Sequence, residues 1–272
     1  MNKFRRAQRR ILGQHSLKSA GVLDKIVRAV DPLPDDFIIE IGPGLGALTL
    51  PLAAKAGKVT AVEKDPKYIP LLEEKGLPNL SLVAGDILDV DFKDLIEGSG
   101  FISARVKLVG NLPYSISSPL LYKVIEESGL FQKCVFLVQK EVAERVCARP
   151  GSKSYAPVSI LLQLHFSAAL LFTVHPGSFS PPPQVESALI ALDKRPSPLH
   201  PVSDERKFQS FLQECFKQRR KTLVNNLIAS GKPADLADKA CAEIGLDRKI
   251  RPEQVSIGQF VGLFDFFHGR ST

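Results

Sequence analysis

No stretch of this chain comes near the roughly 20 consecutive apolar residues that a membrane-spanning helix requires. The most apolar segment, Ile160 to Val174, is interrupted by Gln163, His165 and Ser167. The four cysteines (Cys134, Cys147, Cys215 and Cys241) are scattered and form no CxxC pair. They read as reduced thiols of a cytoplasmic protein rather than as a disulfide frame or a zinc site. The five histidines make no HExxH pattern and no Cys/His cluster, so no metal is expected. Repeats and low-complexity tracts are absent. The amino terminus lacks the apolar segment of a secretory signal. It also lacks acids: none precedes Asp24, whereas Lys3, Arg5, Arg6, Arg9 and Arg10 crowd the first ten residues. A start this basic fits a nucleic-acid arm (residues 1–12) or a mitochondrial transit peptide.

What is present is an ordinary globular composition. The 272 residues suffice for one large domain or two ordinary ones, and apolar residues make up 44% against 24% charged. The net charge of +7 and a pI of about 9.2 point to a polyanionic partner.

From Asp36 to about Leu192, short apolar runs alternate with helical patterns. Strands are expected at 37–41, 58–63, 80–84, 106–109, 134–138, 170–174 and 188–192. Helices are expected at 48–54, 66–75 and 119–127, among others. Such alternation predicts an α/β fold, a Rossmann-like parallel sheet covered on both faces. The segment "DKRPSPLHPVSDERK" (193–207) holds three prolines and reads as a linker. Beyond it the pattern is purely helical, at 207–217, 221–229, 233–244 and 257–267. Two domains follow: residues 1–195, carrying the sheet, and residues 200–272, a small all-helical domain.

"FIIEIGPGLGAL" follows the first strand and opens a helix. Gly42, Gly44 and Ala47 satisfy G-x-G-x-x-G/A, which lets the backbone turn tightly and approach a ligand. Glu63 ends the next strand about 20 residues on, where an acid can accept both hydroxyls of a ribose. The loop alone fits a nicotinamide dinucleotide as well as S-adenosylmethionine. The compact G-x-G-x-G of residues 42–46, with no phosphates to cradle, favours the second. So does Asp86 in "VAGDILD", placed to accept from an adenine amino group; taken alone, Asp86 reads equally as a helix N-cap.

A fourth strand then runs into Asn111-Leu112-Pro113-Tyr114. Pro113 fixes its own φ and holds Leu112 extended, so the carbonyls around Leu112 are aimed. Asn111 adds a neutral amide, and Tyr114 a ring on which a base can stack. Neutral acceptors beside an aromatic ring suit a planar base bearing an exocyclic amine. Such an amine is a weak nucleophile and needs positioning against a methyl-sulfonium more than it needs a strong base. A carboxylate at 111 would add charge beside that cation; the amide avoids it. The plainer alternative is an Asx-turn with Tyr114 in the core.

Together, "GQHSL" (13–17), "EIGPGLGALT" (40–49), "GNLPYSISSPLL" (110–121), "PGSKSY" (150–155), "SFSPPPQVESA" (178–188) and "RRKTLVNNL" (219–227) resemble the ribosomal RNA adenine dimethyltransferase family, in its small-subunit (16S) branch. The resemblance runs nearly end to end. It implies two methyl transfers from S-adenosylmethionine to each of two adjacent adenosines near the 3′ end of 16S rRNA, coupled to small-subunit assembly. It implies cofactor contacts from His15, Leu17, Gly42, Glu63, Asp86 and Asn111. The target pocket would comprise Asn111, Leu112, Pro113, Tyr114 and, packing on the adenine opposite Tyr114, Phe179. Ser16 and Ser19 depart from the family's usual Phe and Asp. The match at "GQHSL" favours an RNA-contacting arm over a removable transit peptide. The family acts as monomers on the immature small ribosomal subunit, with no membrane association. Arg149, Lys153, Lys217, Arg219, Arg220 and Lys221 are candidate phosphate contacts. Alternatives at this stage are the large-subunit rRNA branch, a DNA adenine methyltransferase, a binding protein that kept the fold but lost catalysis, and a nicotinamide oxidoreductase.

Overall fold

The apolar runs become one sheet in a computed structural model that describes residues 15–101 and 105–269; the basic arm at 1–12 lies outside them. A short strand, Ser16–Leu17 (β1), precedes helix Ala20–Val30 (α1). Then strands and helices alternate: Phe37–Ile41 (β2), Thr49–Ala53 (α2), Lys58–Glu63 (β3), Ile69–Glu73 (α3), Leu80–Ala84 (β4), Phe92–Gly98 (α4), Val106–Asn111 (β5), Ser117–Glu126 (α5) and Lys133–Gln139 (β6). β2 is buried at every position and β5 at all but Asn111, as expected where both faces of a sheet are covered. Helices Lys140–Val146 (α6) and Pro157–His165 (α7) follow, then strands Phe166–Val174 (β7), Phe179–Ser180 (β8) and Ser187–Lys194 (β9).

The large sheet has the order β4-β3-β2-β5-β6-β9-β7, and β1 pairs with β8 in a separate two-stranded ribbon. Strands β4, β3, β2, β5 and β6 are mutually parallel. β9 runs antiparallel to β6, which departs from the all-parallel expectation. It is reached from β7 through a 3₁₀ turn and β8, so no helical crossover of the kind a parallel strand needs precedes it. The chain order reverses between β2 and β5: β3 and β4 lie on one side and β5 and β6 on the other. Open α/β sheets bind ligands at the carboxyl ends of the strands flanking such a switch.

The chain divides into two compact units, 1–143 with 167–194 and 144–166 with 195–272. The break near residue 195 falls at the proline-rich linker. The difference from the expected domains is that 144–166 belongs to the second unit. Its largely apolar helix α7 packs against helix Glu205–Cys215 (α8), a long-range pairing that local pattern does not reveal.

The second unit continues with Leu223–Ala229 (α9), Ala234–Glu243 (α10) and Ile257–His268 (α11). Asp204, Thr222 and Ser256 cap α8, α9 and α11 through their side chains. Phe208, Phe211, Phe260 and Phe264 fill the core, with the Phe208 and Phe264 rings edge-on at 5.3 Å. Buried Asn226 accepts from the Gln218 N–H (2.8 Å) and donates to the Gln218 and Thr222 carbonyls (3.1 and 3.0 Å). That clamp holds the turn in which Arg219, Arg220 and Lys221 stand exposed. Arg219 in turn donates to the Lys153 carbonyl. Among the described residues no helix is long and apolar enough to cross a membrane.

Candidate active site

The ends of β2, β3 and β5 meet the β1–β8 ribbon around a cavity of about 170 Å³. Gly42 leaves β2, its N–H donating to the Val62 carbonyl at 2.9 Å. Gly42 and Gly44 have φ of +63° and +57°, a region side chains rarely tolerate, and a Cβ on either would meet nothing within 4 Å. The loop backbone therefore borders open space where a ligand can approach it. The Gly46 N–H closes the turn on the Pro43 carbonyl at 2.9 Å.

Glu63 is 2% exposed. Its Oε2 accepts from the Gly44 N–H (3.0 Å) and its Oε1 from the Asp65 N–H (2.8 Å). Burial raises its pKa, partly offset by those two donors. Each carboxylate oxygen keeps a second lone pair, so the bonds that orient Glu63 leave it able to accept from a ligand.

Asn111, the last residue of β5, donates through Nδ2 to the His15 carbonyl at 2.9 Å. The amide thus holds the segment entering β1 beside the cavity. His15 Nδ1–H donates to the Pro181 carbonyl at 2.8 Å, and its ring lies 5.6 Å from that of Tyr114, tilted 35°. The Leu112 N–H continues the ladder to the Leu137 carbonyl at 3.0 Å. The Pro113 carbonyl is taken by the turn into α5, accepting from the Ile116 N–H (3.1 Å) and the Ser117 hydroxyl (3.2 Å). The Leu112 carbonyl, in contrast, accepts no hydrogen bond from the described residues. Half-buried Tyr114 is tethered by its hydroxyl to Ser187 Oγ at 3.1 Å. Phe179 opposes Leu17 across the ribbon and is buried while still lining the cavity.

The structure thus gathers His15, Leu17, Gly42, Glu63, Asn111, Leu112, Pro113, Tyr114 and Phe179 around one cavity. It does not bring Asp86 into that lining. Asp86 lies just past β4, where Oδ1 caps the Leu88 N–H (3.0 Å) and Oδ2 meets Lys64 Nζ at 2.6 Å. The Lys64 ammonium and the Leu88 N–H hold its carboxyl below the usual range. Among the described residues no group of three or more His, Cys, Asp or Glu is placed to hold a metal ion.

Sequence reasoning missed Glu40. This residue of β2 is 2% exposed and lines the cavity, and its Oε2 has no hydrogen-bond partner. Burial pushes its pKa up to about 7; the Thr49 hydroxyl draws it down, without a formed hydrogen bond, and the Glu63 charge adds to the rise. The signal was available: an acid inside "FIIEI", a strand otherwise wholly apolar, conflicts with its surroundings.

A profile of the family described as "Ribosomal RNA adenine dimethylase" matches residues 5–268. The "Ribosomal RNA small subunit methyltransferase A" of Pseudomonas fluorescens is 39% identical over 265 residues, covering 97% of this chain and 95% of the relative. The protein of the same name from Xanthomonas oryzae is 40% identical over 265 residues, with 96% and 97% covered. Among solved structures, a dimethyladenosine transferase from Plasmodium falciparum matches with a TM-score of 0.80 at 26% identity, covering 94% of this chain and 98% of that one. The 23S rRNA methyltransferase ErmE matches with a TM-score of 0.72 at 25% identity, covering 92% and 98%.

Proposed function

Because this chain belongs to the ribosomal RNA adenine dimethylase family, we infer that it is an S-adenosylmethionine-dependent enzyme that dimethylates the exocyclic amines of adenosines in rRNA. The finer reading is that its targets are two adjacent adenosines near the 3′ end of 16S rRNA, within an immature small subunit in the cytoplasm, and that it acts as a monomer. The relatives at 39–40% identity carry the small-subunit name, while the large-subunit neighbour is at 25%.

The observation that carries the reading is the placement of Asn111–Tyr114 on the same cavity as the glycine loop and Glu63. S-adenosylmethionine, when bound, supplies an electrophilic methyl on a cationic sulfur. Its fit rests on the chain's own features: open space at Gly42 and Gly44, spare lone pairs on Glu63, and the unpartnered oxygen of Glu40. The Leu112 carbonyl is a free neutral acceptor for one hydrogen of a target amine, and the tethered Tyr114 ring offers a face for the base. Asn111 adds a second neutral polar group without placing a negative charge beside the donor. Asp86, outside the cavity lining, keeps a second lone pair on each oxygen as Glu63 does, so it can accept from an adenine amine that reaches it without giving up Lys64. In the helical unit, the clamped turn with Arg219, Arg220 and Lys221, and the Arg149 and Lys153 loop, suit phosphate contacts that position RNA without reading it.

Labelled methyl transfer to unmethylated small-subunit particles, with the product mapped by mass spectrometry, tests the reading. The expected product is dimethyladenosine at two neighbouring positions near the 3′ end, with more transfer to incomplete particles than to deproteinised rRNA. Methyl groups on large-subunit rRNA alone would transfer the protein to the other branch.

A further inference from the structure

Glu40 has no task in recognising the target. It sits in β2, lines the cavity and is 2% exposed, and its Oε2 is unpartnered, as is the buried Thr49 hydroxyl. A buried acid in that state is unusual, because ionising it without a partner is costly. The groups that share the cavity or act on Glu40 can be named element by element. β3 presents Glu63, a second carboxylate, and the turn after it presents Tyr68. β5 presents Asn111 and then Tyr114; its Lys107 lies towards the far end, opposite Ile38, and is bound to Asp36. α2 presents the Thr49 hydroxyl, α1 presents Leu23 and Ile26, and the segment before β1 presents His15. Among the described residues lining the cavity there is no Lys or Arg. Two buried carboxylates without a fixed cation make a site that favours a cationic ligand.

We propose that Glu40 carries a proton until a cationic ligand enters the cavity and then releases it to solvent, so that S-adenosylmethionine binding expels a proton. This rests on the reading that the cavity takes that cofactor. Sulfonium and ammonium together outweigh its carboxylate by one charge, whereas S-adenosylhomocysteine, which lacks the sulfonium, is neutral overall. Ionised Glu40 therefore favours the methyl-bearing form over the spent one, an asymmetry that helps discharge product. Burial holds the Glu40 carboxyl near neutrality, about 7. Its proton is present below that pH and gone well above it, so cofactor affinity falls about tenfold from pH 8 to pH 6.

The test is isothermal titration of the full-length protein with sinefungin, an unreactive analogue carrying an ammonium in place of the sulfonium. The titration is run in buffers of different ionisation enthalpy. At pH 7 the slope should report release of roughly half a proton, falling close to zero near pH 8.5, with less release for S-adenosylhomocysteine. Glu40→Gln, a neutral side chain of nearly the same shape, should abolish the release and flatten the pH dependence. Saturable binding with identical heat in every buffer overturns the proton coupling and leaves the cofactor reading standing. Failure of both ligands to bind overturns the cofactor reading, and the proposal with it. Undiminished release from Glu40→Gln assigns the proton to another group and overturns the role of Glu40. The wild-type buffer series decides by itself if the variant does not fold.

Discussion

Asp36, just before the amino end of β2, is fully buried, and its carboxylate meets Lys107 Nζ (2.6 Å), Arg105 Nε (3.0 Å) and the Leu33 N–H (2.7 Å). Lys107 also donates to the Val30 and Asp31 carbonyls at 3.1 and 2.6 Å, tying down the end of α1. Near the carboxyl end of the same strand, Glu40 is almost as deeply buried and its Oε2 meets nothing. One end of the strand satisfies its buried acid with donors; the other leaves a buried oxygen without a donor, on a residue that lines the cavity. A buried acid that only has to be stable is paired, whereas a buried acid left unpaired at a sheet's carboxyl edge marks a place kept for a ligand.

Mutations can break that contrast from either side. Lys107→Met removes a partner of a buried carboxylate and should lower unfolding free energy by about 3 kcal/mol in chemical denaturation, the lower end of such losses because Arg105 remains. Glu40→Gln should do the reverse. The folded pKa of Glu40 lies above its ordinary value of 4.5, so the folded state binds the extra proton and stability falls as pH rises from about 4.5 to about 7. The variant should therefore gain on the wild type through that window, by up to about 3 kcal/mol at pH 8, and differ little near pH 4.5. If it is less stable than wild type at pH 8, the two ends do not differ as described.

Asn111→Ala sharpens the comparison at the chemical end. It should reduce single-turnover methyl transfer about 100-fold or more, with only a small shift in melting temperature, because it releases one bond to the His15 carbonyl and disorders the acceptors. The smallest effect belongs to Lys64→Met. Its partner Asp86 is mostly covered but Lys64 is 61% exposed, so losing the pair should change stability by less than about 1 kcal/mol in the same denaturation assay.

Much of the fold was legible in the sequence. The β2, β3 and β4 bounds coincide with their apolar runs, and the glycine loop and Asn111–Tyr114 stand at carboxyl ends of neighbouring strands as the alternation implies. What was not legible depends on contacts distant in sequence. The β1–β8 ribbon joins Ser16 to Ser180 and Leu17 to Phe179, residues with no local strand pattern. The antiparallel course of β9 follows from a missing crossover, which apolar alternation alone does not report. The pairing of Asp86 with Lys64, 22 residues away in sequence, is likewise set by the fold and not by local pattern. Glu40 was overlooked because it falls inside a motif read for its glycines.

The most direct test of the account is a crystal structure of the protein with sinefungin. The account predicts the analogue along the carboxyl ends of β2 and β3, its ribose hydroxyls on Glu63, and the ammonium that replaces the sulfonium directed towards the Leu112 carbonyl and Asn111. An analogue bound elsewhere, or one whose ammonium faces away from residues 111–114, would contradict it.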